Sequence, residues 1–195
     1  MTQRKKRILI LGRTGSGKDT AAGLFENRGY KKLKSFATRP KRSQFEDTHT
    51  FISPEEVSKY SDEMVAYTTI GEYEYFGTVD QLRNSDIYII DPKGLNYLLW
   101  KTSDEFDFII IYVKASPSLR MKRASQRGKD KAKLRKDTIK RNKDEDERFS
   151  RFEKDIKDGL YTYSNKSYMV EVIENNADIG ILETKVDKII REYFR

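Results

Sequence analysis

The chain of 195 residues has no cysteine, a single histidine (His49), one tryptophan and four prolines. The missing cysteine excludes disulfides, thiol nucleophiles and thiolate metal sites, and suits a reducing interior. One histidine excludes a histidine-rich metal cluster and argues against a Ser-His-Asp triad. No apolar run approaches the length of a membrane span. The apolar stretch behind the basic start MTQRKKR is too short for a secretory signal. These absences lead to the expectation of a cytoplasmic protein, with Lys5–Arg7 read as a solvated tail before the first strand.

What is abundant is charge. Charged residues make up 36% of the chain and hydrophobic residues also 36%, so a wet surface surrounds a modest core. The length fits one domain, with room for a small inserted subdomain. Lys and Arg outnumber Asp and Glu by 39 to 31, a net charge of +8. That balance suits polyanionic partners, whether nucleotides, phosphates or nucleic acid, and does not choose among them.

The stretch that does choose is Arg7–Phe25, RILILGRTGSGKDTAAGLF. Ile8–Leu11 reads as a buried parallel strand, Gly12, Gly15 and Gly17 permit a tight loop, and Thr20–Phe25 opens a helix. Strand, glycine loop, lysine and helix together make a phosphate cradle. The backbone N–H groups of Arg13, Thr14, Gly15, Ser16, Gly17 and Lys18 can turn inward, and the helix N-terminus adds unpaired donors. Lys18 would reach the outer phosphates of a nucleotide. The position after the lysine, where Ser or Thr usually touches Mg²⁺, holds Asp19, with Thr20 next. A carboxylate there repels a bare triphosphate and attracts a metal-bound one, so Asp19 and Thr20 are the candidate ligands of a Mg²⁺ carried with ATP.

Further along, Lys32–Phe36 reads as a second short strand, and Pro40 blocks helix in the basic segment that follows. Ser53-Pro54-Glu55-Glu56 is a capped helix start. Met64–Thr68 and Tyr73–Phe76, separated by Gly71, suggest a hairpin. Ile87–Ile90 and Phe106–Val113 are continuous apolar runs and so buried strands, with a short helix at Leu95–Trp100 between them. Ser116-Pro117 opens another helix. Lys129–Asp158 is helical by propensity and almost wholly charged. Tyr168–Ile173 reads as a last strand before a final helix. Strands alternating with helices predict an α/β layer fold around a parallel sheet.

In this order the motifs resemble those of guanylate kinases, and the resemblance covers most of the chain. Its most specific part is Ser35-Phe-Ala-Thr38-Arg39-Pro40-Lys41-Arg42, followed by Glu46-Asp47 and His49-Thr50-Phe51. Two guanidinium groups three positions apart around a proline can also converge on one phosphate without any appeal to the family. Tyr75-Phe76-Gly77-Thr78 is similar to the family's acceptor-phosphate element, and Asp91-Pro92-Lys93-Gly94 to its turn facing the acceptor base. Arg123 and Arg127 with Gly128, and Arg141 beyond, resemble its lid arginines.

The resemblance implies a three-layer P-loop fold: a central parallel sheet flanked by helices, a mixed α/β monophosphate-binding insertion over residues 35–82, and a helical lid over 120–150. It also implies transfer of the ATP γ-phosphoryl group, with Mg²⁺, to a nucleoside monophosphate, GMP or dGMP foremost. Lys18, Arg39, Arg123, Arg127 and Arg141 would neutralise the transferring phosphates. Ser35, Arg39, Arg42, His49, Tyr75, Thr78 and Asp91 would hold the acceptor.

The chain departs from the pattern where the base is read. Ala66, with Tyr67 beside it, stands at the family's guanine-reading glutamate, and Glu72 and Glu74 are the nearby carboxylates able to replace it. His49 and Phe76 occupy tyrosine positions. Three alternatives follow: a P-loop kinase for another deoxynucleotide or phosphorylated small molecule, a non-catalytic guanylate-kinase-like module, or nucleic-acid binding through the 129–151 segment. The retained lysine loop counts against the module. The mixed charge of the segment and its lack of aromatics interleaved with the basic residues count against nucleic acid. A homo-oligomer is left open.

Overall fold

The computed structural model describes residues 4–102, 104–126 and 145–194. Ten strands form two sheets. In the larger, β1 (Lys6–Leu11), β6 (Ile87–Ile89), β7 (Asp107–Lys114) and β10 (Lys166–Glu174) are joined edge to edge by β9 (Leu160–Tyr163) and β8 (Ile156–Lys157), in the order β6-β1-β7-β10-β9-β8. The first four strands are mutually parallel, and β9 and β8 complete the sheet as antiparallel hairpins.

The apolar runs explain the parallel part. Leu9 and Leu11 face one layer, with Tyr88, Leu95, Leu98, Ile110 and Tyr112. Ile8 and Ile10 face the other, with Ala21, Ala22, Phe25, Ile111, Val186 and Ile189. A strand covered on both faces must be apolar at every position, which is why ILIL and FIIIYV carry no alternation. Helices α1 (Lys18–Glu26) and α6 (Ile179–Tyr193) pack on the second face, and α3 (Pro92–Thr102) on the first.

The smaller sheet, ordered β3-β2-β5-β4, is built from β2 (Phe36–Ala37), β3 (Thr50–Phe51), β4 (Met64–Ile70) and β5 (Tyr73–Thr78) around Phe36, Met64 and Phe76. β4 and β5 form the hairpin expected about Gly71, with a bulge between Val65 and Thr68 that puts Ala66 at φ 57°. Thr78 ends β5 and caps α2 (Val79–Arg83), its hydroxyl accepting the Gln81 N–H.

Four expectations change. Lys32–Phe36 is not one strand: Lys32 makes a single bridge to Ile87, and pairing in the small sheet starts at Phe36. The capped start at Ser53, whose N–H donates to Glu56 Oε2 at 2.9 Å, leads into a 3₁₀ helix at Pro54–Tyr60. Arg7 is no solvated tail. It is 1% exposed and donates to the carbonyls of Leu82, Arg83 and Lys6, two of them at the C-terminal end of α2, where carbonyls lack helical partners. Of the expected 129–158 helix, residues 145–155 are helical (α5), 156–157 are strand β8, and 129–144 lie outside the described residues. Helix α4 (Pro117–Ser125) starts at Ser116 as read from sequence. Among the described residues no helix is long and apolar enough to cross a membrane.

Candidate functional site

The glycine loop joins the C-terminal end of β1, in mid-sheet, to α1. Gly12 leaves the strand. Gly15 and Gly17 take φ +79° and +97°, where a side chain would be strained. A Cβ on Gly17 would also lie 2.2 Å from Asn175 Nδ2. Asn175, at the end of β10, donates that amide to the Ser16 carbonyl at 2.8 Å. Arg123 of α4 donates to the Asn175 carbonyl at 3.1 Å and to Ser16 O at 3.4 Å. The loop is therefore fixed from beneath by β10 and α4. Lys18 opens α1, its ammonium 3.9 Å from the Asp19 carboxylate, and both Asp19 and Thr20 are exposed.

Helix α5 packs on the loop through Phe149 and Phe152, buried against Tyr112. This seats its acidic residues on the first half of the loop. Arg13 pairs with Asp146 at 3.2 Å and Glu153 at 2.7 Å and donates to Tyr112 Oη at 2.9 Å. Burial works against the Arg13 cation, but these partners outweigh it and raise its pKa above the ordinary arginine value. Thr14 gives its N–H to Glu145 Oε2 at 2.8 Å and its hydroxyl to Oε1 at 2.6 Å. A cavity of about 420 Å³ beside the loop is lined by Arg13, Ser16, Tyr112, Lys114 and Arg120.

The second cluster lies on the small sheet. Arg39 is 5% exposed and forks onto Glu46, with Nη2 to Oε1 at 2.6 Å and Nη1 to Oε2 at 2.9 Å. Glu46 also accepts the Arg42 N–H and the Thr48 hydroxyl. The bond from Arg39 holds the Glu46 carboxyl down at about 2 despite its burial. Arg39 Nε is buried and has no hydrogen-bond partner among the described residues, although the Tyr75 side chain lies close enough to help raise the Arg39 pKa. The Arg42 side chain is largely exposed.

Ser35 Oγ and His49 Nδ1 are 2.9 Å apart, and the His49 ring lies edge-on to Tyr75 with centroids 5.6 Å apart. Burial, then the Arg39 charge, pushes His49 down to about 4, with Asp19 pulling weakly the other way. The Asp19 carboxylate, at the start of α1, is thus near enough to His49 for its charge to be felt there.

As the lone imidazole, His49 offers a clean test of that geometry. By NMR its ring resonances are expected to titrate near pH 4, far below the ordinary 6.5. The folded pKa lies below the unfolded one, so the unfolded chain takes up the extra proton first as pH falls. Stability is then full above about 6.5 and declines as pH drops toward about 4. A midpoint near 6.5 would mean that His49 is not held in this cluster.

Asp91 occupies a third position, linked to the second because Thr68 and Tyr75 are cross-strand partners. Its Oδ1 accepts the Gly94 N–H at 2.7 Å, as a capping side chain does. Its Oδ2 accepts the Thr68 hydroxyl and Arg148 Nη1, each at 2.9 Å, and Arg148 Nη2 donates to the Thr69 carbonyl. A cavity of about 400 Å³ opens beside Arg148, lined also by Lys93, Asn96, Phe152 and Tyr161. Glu74 accepts the Tyr67 hydroxyl at 2.6 Å, and Glu72 lies exposed at the hairpin tip.

The structure thus gathers Gly12–Gly17 into one loop, with Lys18, Asp19 and Thr20 in the first turn of α1, and brings Ser35, Arg39, His49 and Tyr75 together on the small sheet. Thr78 is buried as the α2 cap, Asp91 is paired with Arg148, and Arg123 lies under the loop. Arg127 and Arg141 lie outside the described residues. Sequence reasoning passed over Asn175, Glu145, Arg148 and Glu153. Phe149 and Phe152, three apart in a charged run, were the available signal for the face that carries the last three.

No protein-family profile matches the chain, and no curated protein matches it by sequence. Among solved structures, the crystal structure of a guanylate kinase from Anaplasma phagocytophilum superposes with TM-score 0.60, over 98% of this chain and 86% of that one, at 21% identity. The fold is guanylate-kinase-like. At that identity the likeness fixes the architecture, a mostly parallel sheet between helices with a glycine loop at its centre, and leaves the chemistry to the residues.

Proposed function

We propose that the chain is an ATP-dependent nucleoside monophosphate kinase. The observation that supports this reading is a pair of arrangements suited to phosphate: the glycine loop with Lys18, and the buried Arg39, whose Nε has no hydrogen-bond partner among the described residues. ATP would lie on the first and the acceptor phosphate at the second, with Ser35, Arg42, His49 and Tyr75 around it. An acceptor phosphate is already nucleophilic, so the work left to the protein is alignment and charge neutralisation by Lys18, Arg39 and the arginines of the lid segment.

Among the described residues no group of three or more His, Cys, Asp or Glu could hold a metal ion. A Mg²⁺ brought in with the nucleotide would be held by Asp19 and Thr20 and would offset phosphate charge there.

The resemblance names GMP and dGMP as acceptors. One observation favours a different base. Ala66 is buried within a bulge, Glu74 is engaged by Tyr67 and Glu72 is exposed at the hairpin tip, so neither of these two glutamates stands free to read a base in place of the family's. The test is coupled ADP release with ATP and Mg²⁺ against a panel of ribo- and deoxynucleoside monophosphates. Turnover confined to GMP and dGMP would establish guanine selection. Turnover on another monophosphate would keep the reaction and change the base. No turnover on any of them, from folded protein that binds ATP, would overturn the kinase reading in favour of another phosphorylated acceptor or a binding module.

A further inference from the structure

The phosphate loop already carries an anion from within the chain. Both oxygens of Glu145 are used on one residue of the loop, the Thr14 N–H at 2.8 Å and the Thr14 hydroxyl at 2.6 Å. A carboxylate bound through two oxygens to a backbone N–H and a hydroxyl satisfies the loop as two oxygens of a phosphoryl group would. The contact is not an isolated side-chain excursion. Asp146 and Glu153 of the same helix hold Arg13, the preceding residue, and Phe149 and Phe152 are buried beneath. At its other face the helix ties Arg148 to Asp91 and to the Thr69 carbonyl.

We infer that Glu145 is an autoinhibitory plug: a built-in competitor that a nucleotide must displace from Thr14 before its outer phosphates can settle on the loop. The inference rests on the reading of that loop as the ATP site. Glu145 acts twice in the empty protein, by occupying donors and by placing a negative charge where another must enter. If the plugged arrangement outweighs the open one by about ten to one, apparent ATP affinity falls about tenfold, because only the open fraction binds. AMP, which lacks outer phosphates, does not compete with the plug.

The experiment is calorimetric titration of the full chain with ATP, ADP and AMP in the presence of Mg²⁺, comparing wild type, Glu145→Gln, Glu145→Ala and the control Glu147→Gln. Glu147 lines the cavity on the other side of α5. Both Glu145 variants are expected to bind ATP about tenfold more tightly, with AMP binding and the control unchanged. ATP affinity unchanged or weakened in both, while wild type binds ATP, overturns the plug and leaves the ATP site standing. Weakening would mean that Glu145 supports the nucleotide or its metal. Failure of every folded variant and of wild type to bind ATP overturns the ATP site and the plug with it. Hydrogen exchange on wild type gives a second reading that needs no variant. ATP should speed exchange across 145–155, and unchanged protection also overturns the plug.

Discussion

Lys18→Ala is expected to lower turnover by about a thousandfold or more while leaving the melting temperature nearly unchanged. Removal of one preorganised charge-stabilising donor costs roughly 10²–10³ in kcat, and a cation on a transferring phosphoryl group can be worth about 10³–10⁵. Structurally the lysine contributes little. Its nearest carboxylate, Asp19, is 3.9 Å away and more than half exposed, so solvent screens the pair. A loss of activity with no loss of stability is the signature of a residue kept for its ligand. Steady-state kinetics beside a thermal melt checks both halves. Retention of more than a tenth of wild-type turnover would remove the loop from the reaction.

Arg39→Ala is expected to behave differently, destabilising the protein by about 3–5 kcal/mol and also weakening acceptor use. The reason is Glu46. Its side chain is 9% exposed and forks with Arg39, and without that partner the carboxylate stays buried with only the Arg42 N–H and the Thr48 hydroxyl. The pH dependence follows from the same pair. A carboxyl lowered from 4.5 to about 2 contributes stability that is fully present above 4.5 and is lost as pH falls toward 2. In Arg39→Ala that acid-labile contribution should shrink to what the Arg42 N–H and the Thr48 hydroxyl supply.

Adding Glu46→Gln to Arg39→Ala should recover much of the stability by removing the stranded charge, without restoring acceptor binding. Denaturant unfolding gives the first quantity, and acceptor KM with ATP binding measured separately gives the second. Loss of ATP binding with acceptor affinity untouched would reverse the assignment of the two clusters.

The parts of the site that could be read from sequence are those whose requirements are local. A backbone that must turn tightly at φ +79° and +97° needs Gly15 and Gly17, and Lys18 follows them directly, so the loop is written in consecutive residues. The strand FDFIIIYV announces itself because burial on both faces demands apolar residues throughout. The α5 contacts were not legible for the opposite reason. In KDEDERFSRFEKD nearly every position is charged, and apart from the spacing of Phe149 and Phe152 nothing in the run distinguishes Glu145, which meets Thr14, from Glu147, which does not. Only the docking of Phe149 and Phe152 on Tyr112 sets the rotation of the helix.

The edge hairpin was missed through its turn. Ser164 and Asn165 both take positive φ, 48° and 67°, a conformation Asn tolerates better than most residues but Ser does not advertise. Arg7 was misread because its partners, the carbonyls of Leu82 and Arg83, are backbone atoms that no sequence motif marks.

The contact between Asn175 and the Ser16 carbonyl spans 159 positions of the chain. Strand β1, from which the loop springs, likewise pairs only with strands that begin at Ile87 and Asp107. During synthesis the amino-terminal loop therefore has no sheet to stand on until nearly half of the protein has emerged, and no floor until β10 has followed. Segments made first are here completed last, since contacts of such long separation close only after the intervening chain is available. A ribosome-bound intermediate carrying Lys18 and all three glycines would still lack the contacts that shape the loop, so the loop is finished at the end of folding rather than at its beginning.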